Sequence, residues 1–191
     1  YLLNDRDQLL VVAGLGAPAW DCAAVSDHEH NFYLWGGMGS AAMVGLGLAL
    51  AQPSYSVLVI TGDGEMLMGL SSLATIAVAA PRNLTIVVLD NERYGETDMQ
   101  QTHTAYGCDL AKIADGAGFA WTALVRDLAD IEEIGQNLYK QEGPGLAVVK
   151  ITAEELPLVL PPRDGALLKD RFRNALLIGA RGTKPGNESS R

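Results

Sequence analysis

The chain has 191 residues, 48% of them apolar and 19% charged, with a formal net charge of −9. That length suits one ordinary domain with a large core, and the acidic balance argues against a nucleic-acid partner. Cys22 and Cys108 lie far apart without metal-ligand spacing, and no signal-peptide pattern is present, which fits a reducing cytoplasm.

The sequence opens on Tyr1 rather than Met, so a start further upstream, or a longer parent chain, is expected. Residues 9–13 read as a first strand. Gly14-Leu15-Gly16 looks like the opening of a dinucleotide fingerprint, but the third glycine is missing from its register and Pro18 stands close by, so a plain turn is the better reading. His28-Glu29-His30 is either a metal-ligating pair or, more simply, surface residues ahead of a strand. Residues 31–62 contain no Asp, Glu, Lys or Arg, and 32–51 form a run of twenty uncharged residues, which raises a membrane span. Gly36, Gly37, Gly39, Gly45 and Gly47 interrupt that run and Pro53 closes it, so the span is rejected. The stretch reads instead as a strand at 32–35, a turn at 36–39 and a short helix at 40–51. Small residues on most faces of that helix (Ala41, Ala42, Gly45, Gly47, Ala49) predict close packing on a sheet and against a partner subunit.

Residues 57–60 are apolar and β-branched and end in a glycine pair, the signature of a buried strand. Residues 66–80 are Ala- and Leu-rich and read as one helix, and 84–89 as a second buried strand. Strand, helix, strand at this spacing is a βαβ unit with parallel strands. Asp63 lies just past the first strand and Asn91 just past the second, 28 residues on. Both therefore emerge at the carboxyl edge of the sheet, where open α/β sheets bind ligands. A carboxylate and an amide oxygen suit a hard cation such as Mg2+. Gly62 and Gly64 permit close backbone approach, and the N–H groups of Gly64, Glu65 and Met66 open the helix toward a phosphate. These residues together describe a site for a magnesium diphosphate.

Beyond Asn91, residues 92–106 are polar and read as a loop over the sheet edge. A helix at 109–117, a strand at 121–125, an amphipathic helix at 128–141 and a last strand at 145–151 follow. Pro157, Pro161 and Pro162 break the chain before a final helix at 167–178, and residues 181–191 read as a disordered tail. The alternation predicts a doubly wound parallel α/β sheet with helices on both faces.

Gly62-Asp63-Gly64, followed about thirty residues on by Asp90-Asn91, resembles the diphosphate-binding motif of thiamine-diphosphate-dependent enzymes. Asn31-Phe32-Tyr33, Gly36-Gly37-Met38-Gly39, the run from Gly45 to Ala51, and Pro53 are similar to the opening half of the same domain. Leu73-Ala74-Thr75-Ile76, Asn91-Glu92-Arg93-Tyr94-Gly95, Pro162-Arg163-Asp164-Gly165 and Arg171-Phe172-Arg173 resemble the branch that holds the sulfopyruvate and phosphonopyruvate decarboxylases. The resemblance covers roughly residues 9–178, so residues 1–178 are expected to form the diphosphate-binding domain and 179–191 a tail.

The resemblance implies a set of roles. Asp63, Asn91 and the backbone carbonyl of Arg93 would ligate Mg2+. Gly62, Gly64, Glu65, Met66, Tyr94 and Gly95 would surround the diphosphate, and the Gly36 carbonyl, with Gly37, the aminopyrimidine. Met38 would be the apolar wedge that bends thiamine diphosphate, the alternative being a plain core methionine. His103 would be a substrate or proton-transfer residue, the alternative being a solvated loop residue. Thr102, Thr104, Gln100, Gln101 and Arg93 are further candidates for binding a second anionic group of the substrate. The implied reaction is decarboxylation of a small anionic 2-keto acid, 3-sulfopyruvate or 3-phosphonopyruvate, to an aldehyde and CO2. The glutamate that activates the pyrimidine belongs to a separate pyrimidine-binding domain, and no second α/β repeat occurs in these 191 residues. A cytoplasmic hetero-oligomer with at least two copies of each subunit is therefore expected, without nucleic acid or membrane. A carboligase of the acetolactate synthase type and a non-catalytic cofactor-binding or regulatory subunit are the alternatives. A nicotinamide-binding domain fits least, because no ribose-binding acid stands at the right distance.

Overall fold

The computed structural model describes residues 1–4, 6, 8–154 and 156–182. In chain order the elements are β1 (Leu10–Ala13), α1 (Ala17–Ser26), β2 (Asn31–Tyr33), α2 (Ala41–Ala51), β3 (Val57–Gly62), α3 (Asp63–Met68), α4 (Ser72–Ala79) and β4 (Leu84–Asp90). There follow β5 (Arg93–Tyr94), β6 (Gln100–Gln101), a 3-10 turn at His103–Tyr106, α5 (Leu110–Ala117), β7 (Trp121–Val125), α6 (Leu128–Asn137), β8 (Gly145–Lys150) and α7 (Gly165–Gly182). Six strands form one wholly parallel sheet in the order β2-β1-β3-β4-β8-β7, and β5 and β6 make a separate antiparallel hairpin.

The strands are apolar on both faces because helices cover both. Leu10, Val12, Val57, Val59, Ile86, Val88, Leu146 and Val148 point to the side packed by α2, α4 and α5. The alternate residues Val11, Leu58, Ile60, Val87, Ala147 and Val149 point to the side packed by α1 and α6. Leu58, Val59 and Ile86 are wholly buried, and each such side chain stabilises the fold by about 1.5–3 kcal/mol. Gly45 sets the depth at which α2 sits, since a Cβ there would lie 2.2 Å from Val59 Cγ2. The small-residue helix thus packs on the sheet as expected, and its other side leaves Met43 and Leu50 exposed. At the β2 edge, Phe172 of α7 meets Phe32 edge-on at 5.8 Å, and Arg171 makes a two-pronged pair with Asp27 at 2.7 and 3.0 Å.

Several expectations are corrected. The single helix at 66–80 is two helices: α3 begins already at Asp63, and the path breaks at Gly69-Leu70-Ser71 before α4. Helix α1 was not expected, because Pro18 reads as a turn signal. It lies instead in the first turn, where a proline's missing N–H is no loss. The loop at 92–106 contains the β5–β6 hairpin and the 3-10 turn. Helix α6 ends at Asn137, and α7 is longer than expected, running to Gly182; from residue 183 the expected tail lies outside the described residues. Among the described residues no helix is long and apolar enough to cross a membrane.

Candidate functional site

Strands β1 and β3 are neighbours, yet β1 leads into α1 on one face and β3 leads toward α4 on the other. This is a topological switch point, where a crevice opens at the carboxyl edge. A cleft of about 1260 Å3 lies there. Gly62 stands opposite Leu89 in the β3–β4 register, so Asp63 and Asp90-Asn91 leave the sheet at the same level. Asp63, Gly64, Glu65 and Asn91 line the cleft with Met38, and the hairpin contributes Arg93, Tyr94, Gly95 and Glu96. Ile151, Leu156, Pro157 and Leu158, from the segment after β8, also line it.

The Asp63 side chain is almost wholly buried. Its Oδ2 accepts from Thr102 Oγ1 at 2.5 Å, and Thr104 Oγ1 lies 3.3 Å away. Burial pushes this carboxyl above the usual aspartate range and the Asp90 charge adds to the rise, against the opposing bond from Thr102. Asn91 Oδ1 accepts from the Arg93 N–H at 2.9 Å, closing a turn in which Glu92 sits in the left-handed region at φ 62°. Glu65 is an internal staple. Its Oε2 accepts from Thr61 Oγ1 at 2.8 Å and from the Leu15 N–H at 3.1 Å, and its Oε1 from the Ala41 N–H at 3.4 Å. A Cβ on Gly14 would fall 2.0 Å from that carboxylate, so the first glycine of Gly14-Leu15-Gly16 makes room for Glu65.

Gly64 is covered by a ring: a Cβ there would sit 2.6 Å from Tyr94 Cδ1 and 3.7 Å from Met38 Cε. Met38 is 37% exposed, so it is a cleft-lining side chain and not a core methionine. Gly36 and Gly37 do not line the cleft. Gly37, at φ 69°, turns the chain, and its carbonyl accepts from Ser40 Oγ at 2.5 Å. Met66 departs from expectation. As the fourth residue of α3 its N–H lies within the helical hydrogen bonding, and its side chain is in the core, so Gly64 and Glu65 are left to present N–H groups at the helix start.

His103 lines the cleft, whereas Gln100 and Gln101 are exposed outside it. Thr102 and Thr104 do not face a substrate; both are buried with their hydroxyls directed at carboxylates. Lys150 has no counterpart among the expected site residues, and Asp90 was expected only as part of the Asp90-Asn91 motif, with no role of its own. Asp90 Oδ2 pairs with Lys150 Nζ at 2.7 Å, and Lys150 also reaches Glu92 at 2.7 Å. The sequence signal was a lone lysine closing the apolar run of β8, which the β4–β8 register sets opposite Asp90. Among the described residues no group of three or more His, Cys, Asp and Glu side chains is placed to hold a metal. His28 Nδ1 accepts from the His30 N–H at 3.0 Å, so the histidine pair serves its own turn.

A doubly wound sheet with a paired Asp and Asn at its switch-point cleft defines a cofactor-binding α/β domain. A family model described as thiamine pyrophosphate enzyme, C-terminal TPP binding domain, matches residues 16–151, and the chain belongs to this family. It is 36% identical to the sulfopyruvate decarboxylase subunit beta of Methanocaldococcus jannaschii, over 91% of this chain and 91% of that one. It is 35% identical to a phosphonopyruvate decarboxylase of Streptomyces viridochromogenes, over 91% of this chain and 43% of that longer protein. The benzoylformate decarboxylase of Polynucleobacter necessarius shares the fold, with a TM-score of 0.67 at 20% identity over 82% of this chain and 32% of that one.

Proposed function

We propose that this chain is the diphosphate-binding subunit of a cytoplasmic thiamine-diphosphate-dependent decarboxylase that converts 3-sulfopyruvate or 3-phosphonopyruvate to an aldehyde and CO2. The observation that carries the reading is the convergence of Asp63, Asn91 and Met38 on one cleft at the sheet's carboxyl edge.

The residues present fit the cofactor and its metal. The Asp63 carboxylate and Asn91 amide oxygen, with the Arg93 carbonyl, would hold Mg2+, a hard cation that takes oxygen donors. Burial disfavours the charged form of Asp63 when the site is without a cation, so a bound cation answers a need this carboxylate has. The bare backbone at Gly64 and the neighbouring N–H of Glu65 would face the diphosphate beside Tyr94 and Gly95, while Gly36 and Gly37, which do not line the cleft, would act through the turn that carries Met38. Met38, with its methyl near Gly64, would be the apolar wedge against which the cofactor packs. When bound, thiamine diphosphate supplies a carbon nucleophile and an electron sink for loss of CO2.

Leu67, Leu70, Met99, Leu156 and Leu158 give the cleft apolar walls. Against those walls and the carboxylates of Asp21, Glu96 and Glu154, Arg93 and His103 are the basic groups lining it among the described residues. They fit the second anionic group of the substrate, with the planar Arg93 guanidinium suited to paired sulfonate or phosphonate oxygens. The activating glutamate comes from a pyrimidine-binding partner in a hetero-oligomer. The test is turnover by the assembled complex of 3-sulfopyruvate, 3-phosphonopyruvate and pyruvate. Release of the aldehyde from a 3-anionic substrate is expected; acyloin as the main product would overturn the reading.

A further inference from the structure

A chain of buried polar groups leads out of the cleft from Asp63. Thr102 Oγ1 donates to Asp63 Oδ2 at 2.5 Å and lies 2.8 Å from Thr104 Oγ1. Thr104 Oγ1, 3.3 Å from the same Asp63 oxygen, donates to Asp90 Oδ1 at 2.8 Å. Asp90 Oδ2 then meets Lys150 Nζ at 2.7 Å. Thr102, Thr104, Asp63 and Asp90 are all buried. The Lys150 side chain is 20% exposed and lines a smaller cavity of about 170 Å3 with Arg126, Asp109 and Leu124, on the side of the sheet packed by α5.

We propose that Thr102, Thr104, Asp90 and Lys150 are positioning residues that fix Asp63 as a one-oxygen metal ligand, with Lys150 acting from outside the cleft. This rests on the reading of Asp63 as a Mg2+ ligand. Thr102 gives its hydroxyl proton to Oδ2, Thr104 Oγ1 packs beside that oxygen at 3.3 Å while its own proton goes to Asp90, and Oδ1 takes no side-chain hydrogen bond among the described residues. A carboxylate held by one oxygen offers the other alone, which suits the strict octahedron of Mg2+. A carboxylate free to rotate offers both, which suits the larger and more tolerant Ca2+. Thr104 can hold its place only while Asp90 holds its own. Asp90 is a buried carboxylate beside another carboxylate, and the ammonium of Lys150 on the adjacent strand compensates it.

The experiment uses the full chain assembled with its partner subunit. Mg2+ or Ca2+ is titrated in the presence of thiamine diphosphate, with cofactor binding followed by calorimetry. Lys150→Met and Thr104→Val are expected to raise the half-saturating Mg2+ concentration about 10- to 100-fold and to narrow the preference for Mg2+ over Ca2+. Lys150→Arg and Thr104→Ser should restore most of both. At saturating Mg2+, cofactor affinity should match wild type, a split that general loosening of the fold would not produce. Should Thr104→Val fail to fold, the partly exposed Lys150 decides the matter through Lys150→Met. An unchanged Mg2+ requirement and unchanged Ca2+ discrimination in Lys150→Met would overturn the proposal and leave Asp63 as a ligand. A wild-type complex whose cofactor binding ignores Mg2+ would overturn the metal reading itself.

Discussion

Gly39 and Gly69 meet backbone to backbone. A Cβ on Gly69 would sit 2.2 Å from the Gly39 carbonyl oxygen, and one on Gly39 would sit 3.1 Å from the Gly69 nitrogen. Gly39 also holds φ at 90°, a conformation that side chains with a Cβ rarely adopt. The contact pins the turn carrying Met38 against the gap between α3 and α4. Gly69→Ala is therefore expected to destabilise the chain by about 1–3 kcal/mol, the usual range for overpacking. Urea unfolding checks this, and an unchanged midpoint would show that the Met38 turn moves aside freely.

Removing the proposed metal ligand should separate binding from folding. Asp63→Ala is expected to abolish Mg2+-dependent cofactor binding in the assembled complex and to leave the chain folded, because the partner lost by buried Thr102 is offset by removing a carboxylate whose charge burial disfavours. Asn91→Leu should act in the same direction and more weakly where water replaces the amide oxygen. Calorimetry decides both; wild-type thiamine diphosphate affinity in Asp63→Ala would sink the assignment.

Met38 tests geometry separately from affinity. With its methyl near Gly64 and its side chain partly exposed in the cleft, it is placed to shape a bound cofactor without anchoring the diphosphate. Met38→Ala should lower kcat far more than cofactor affinity, whereas Met38→Leu keeps an apolar body of similar size and should be tolerated. A wild-type kcat in Met38→Ala would remove the wedge role.

The βαβ unit and its Asp63–Asn91 spacing were legible because local patterning carries them: apolar strands covered on both sides, a glycine pair at the strand end, and one repeat between the two proposed oxygen ligands. What was missed depends on contacts distant in sequence. The helix expected at 66–80 is broken where Gly69 meets Gly39, thirty residues away. Thr102 and Thr104 reach Asp63 across 39 and 41 residues, so no local pattern distinguishes them from hydroxyls that contact a substrate. Lys150 acquires a role only once the strand order puts β8 beside β4. Helix α1 was hidden for a different reason: with Gly16 before it and Pro18 inside its first turn, its opening reads like a loop.

The Asp27–Arg171 pair ties α7 to the β2 edge and should show in acid. Burial pushes the Asp27 carboxyl up, but bonds from Arg171 and Tyr33 outweigh it and hold the group below the ordinary aspartate value. A depressed carboxyl contributes stability that is present above its unfolded pKa and lost as pH falls through the folded one. Asp27 is 44% exposed, so the contribution is discounted to roughly 1 kcal/mol or less. Asp27→Asn should therefore be modestly less stable than wild type at pH 7. The gap should shrink as pH falls below about 4, the ordinary aspartate range. Urea midpoints across that range check the sign; a gap that widens in acid would contradict it.

The last prediction concerns assembly. Among the described residues the carboxylates lining the cleft are Asp21, Asp63, Glu65, Glu96 and Glu154. Asp63 is the proposed metal ligand, and Glu65 is fully engaged by Thr61, Leu15 and Ala41. Asp21 lies on α1 and Glu96 on the hairpin beside Gly16, so neither belongs to the turn that carries Met38. Glu154 lies in an irregular segment, with no helix or strand to fix it. None is a carboxylate on a rigid element placed to activate the pyrimidine, so the 191-residue chain alone should not decarboxylate 3-sulfopyruvate or 3-phosphonopyruvate at any cofactor concentration. Mixing with a pyrimidine-domain partner should restore turnover, with activity rising to a plateau at a fixed ratio of the two. Self-association of the chain through the exposed side of α2, where Met43 and Leu50 lie, would not by itself supply the missing group. Aldehyde release by the isolated chain, with mass spectrometry showing no second polypeptide in the sample, would refute the divided site.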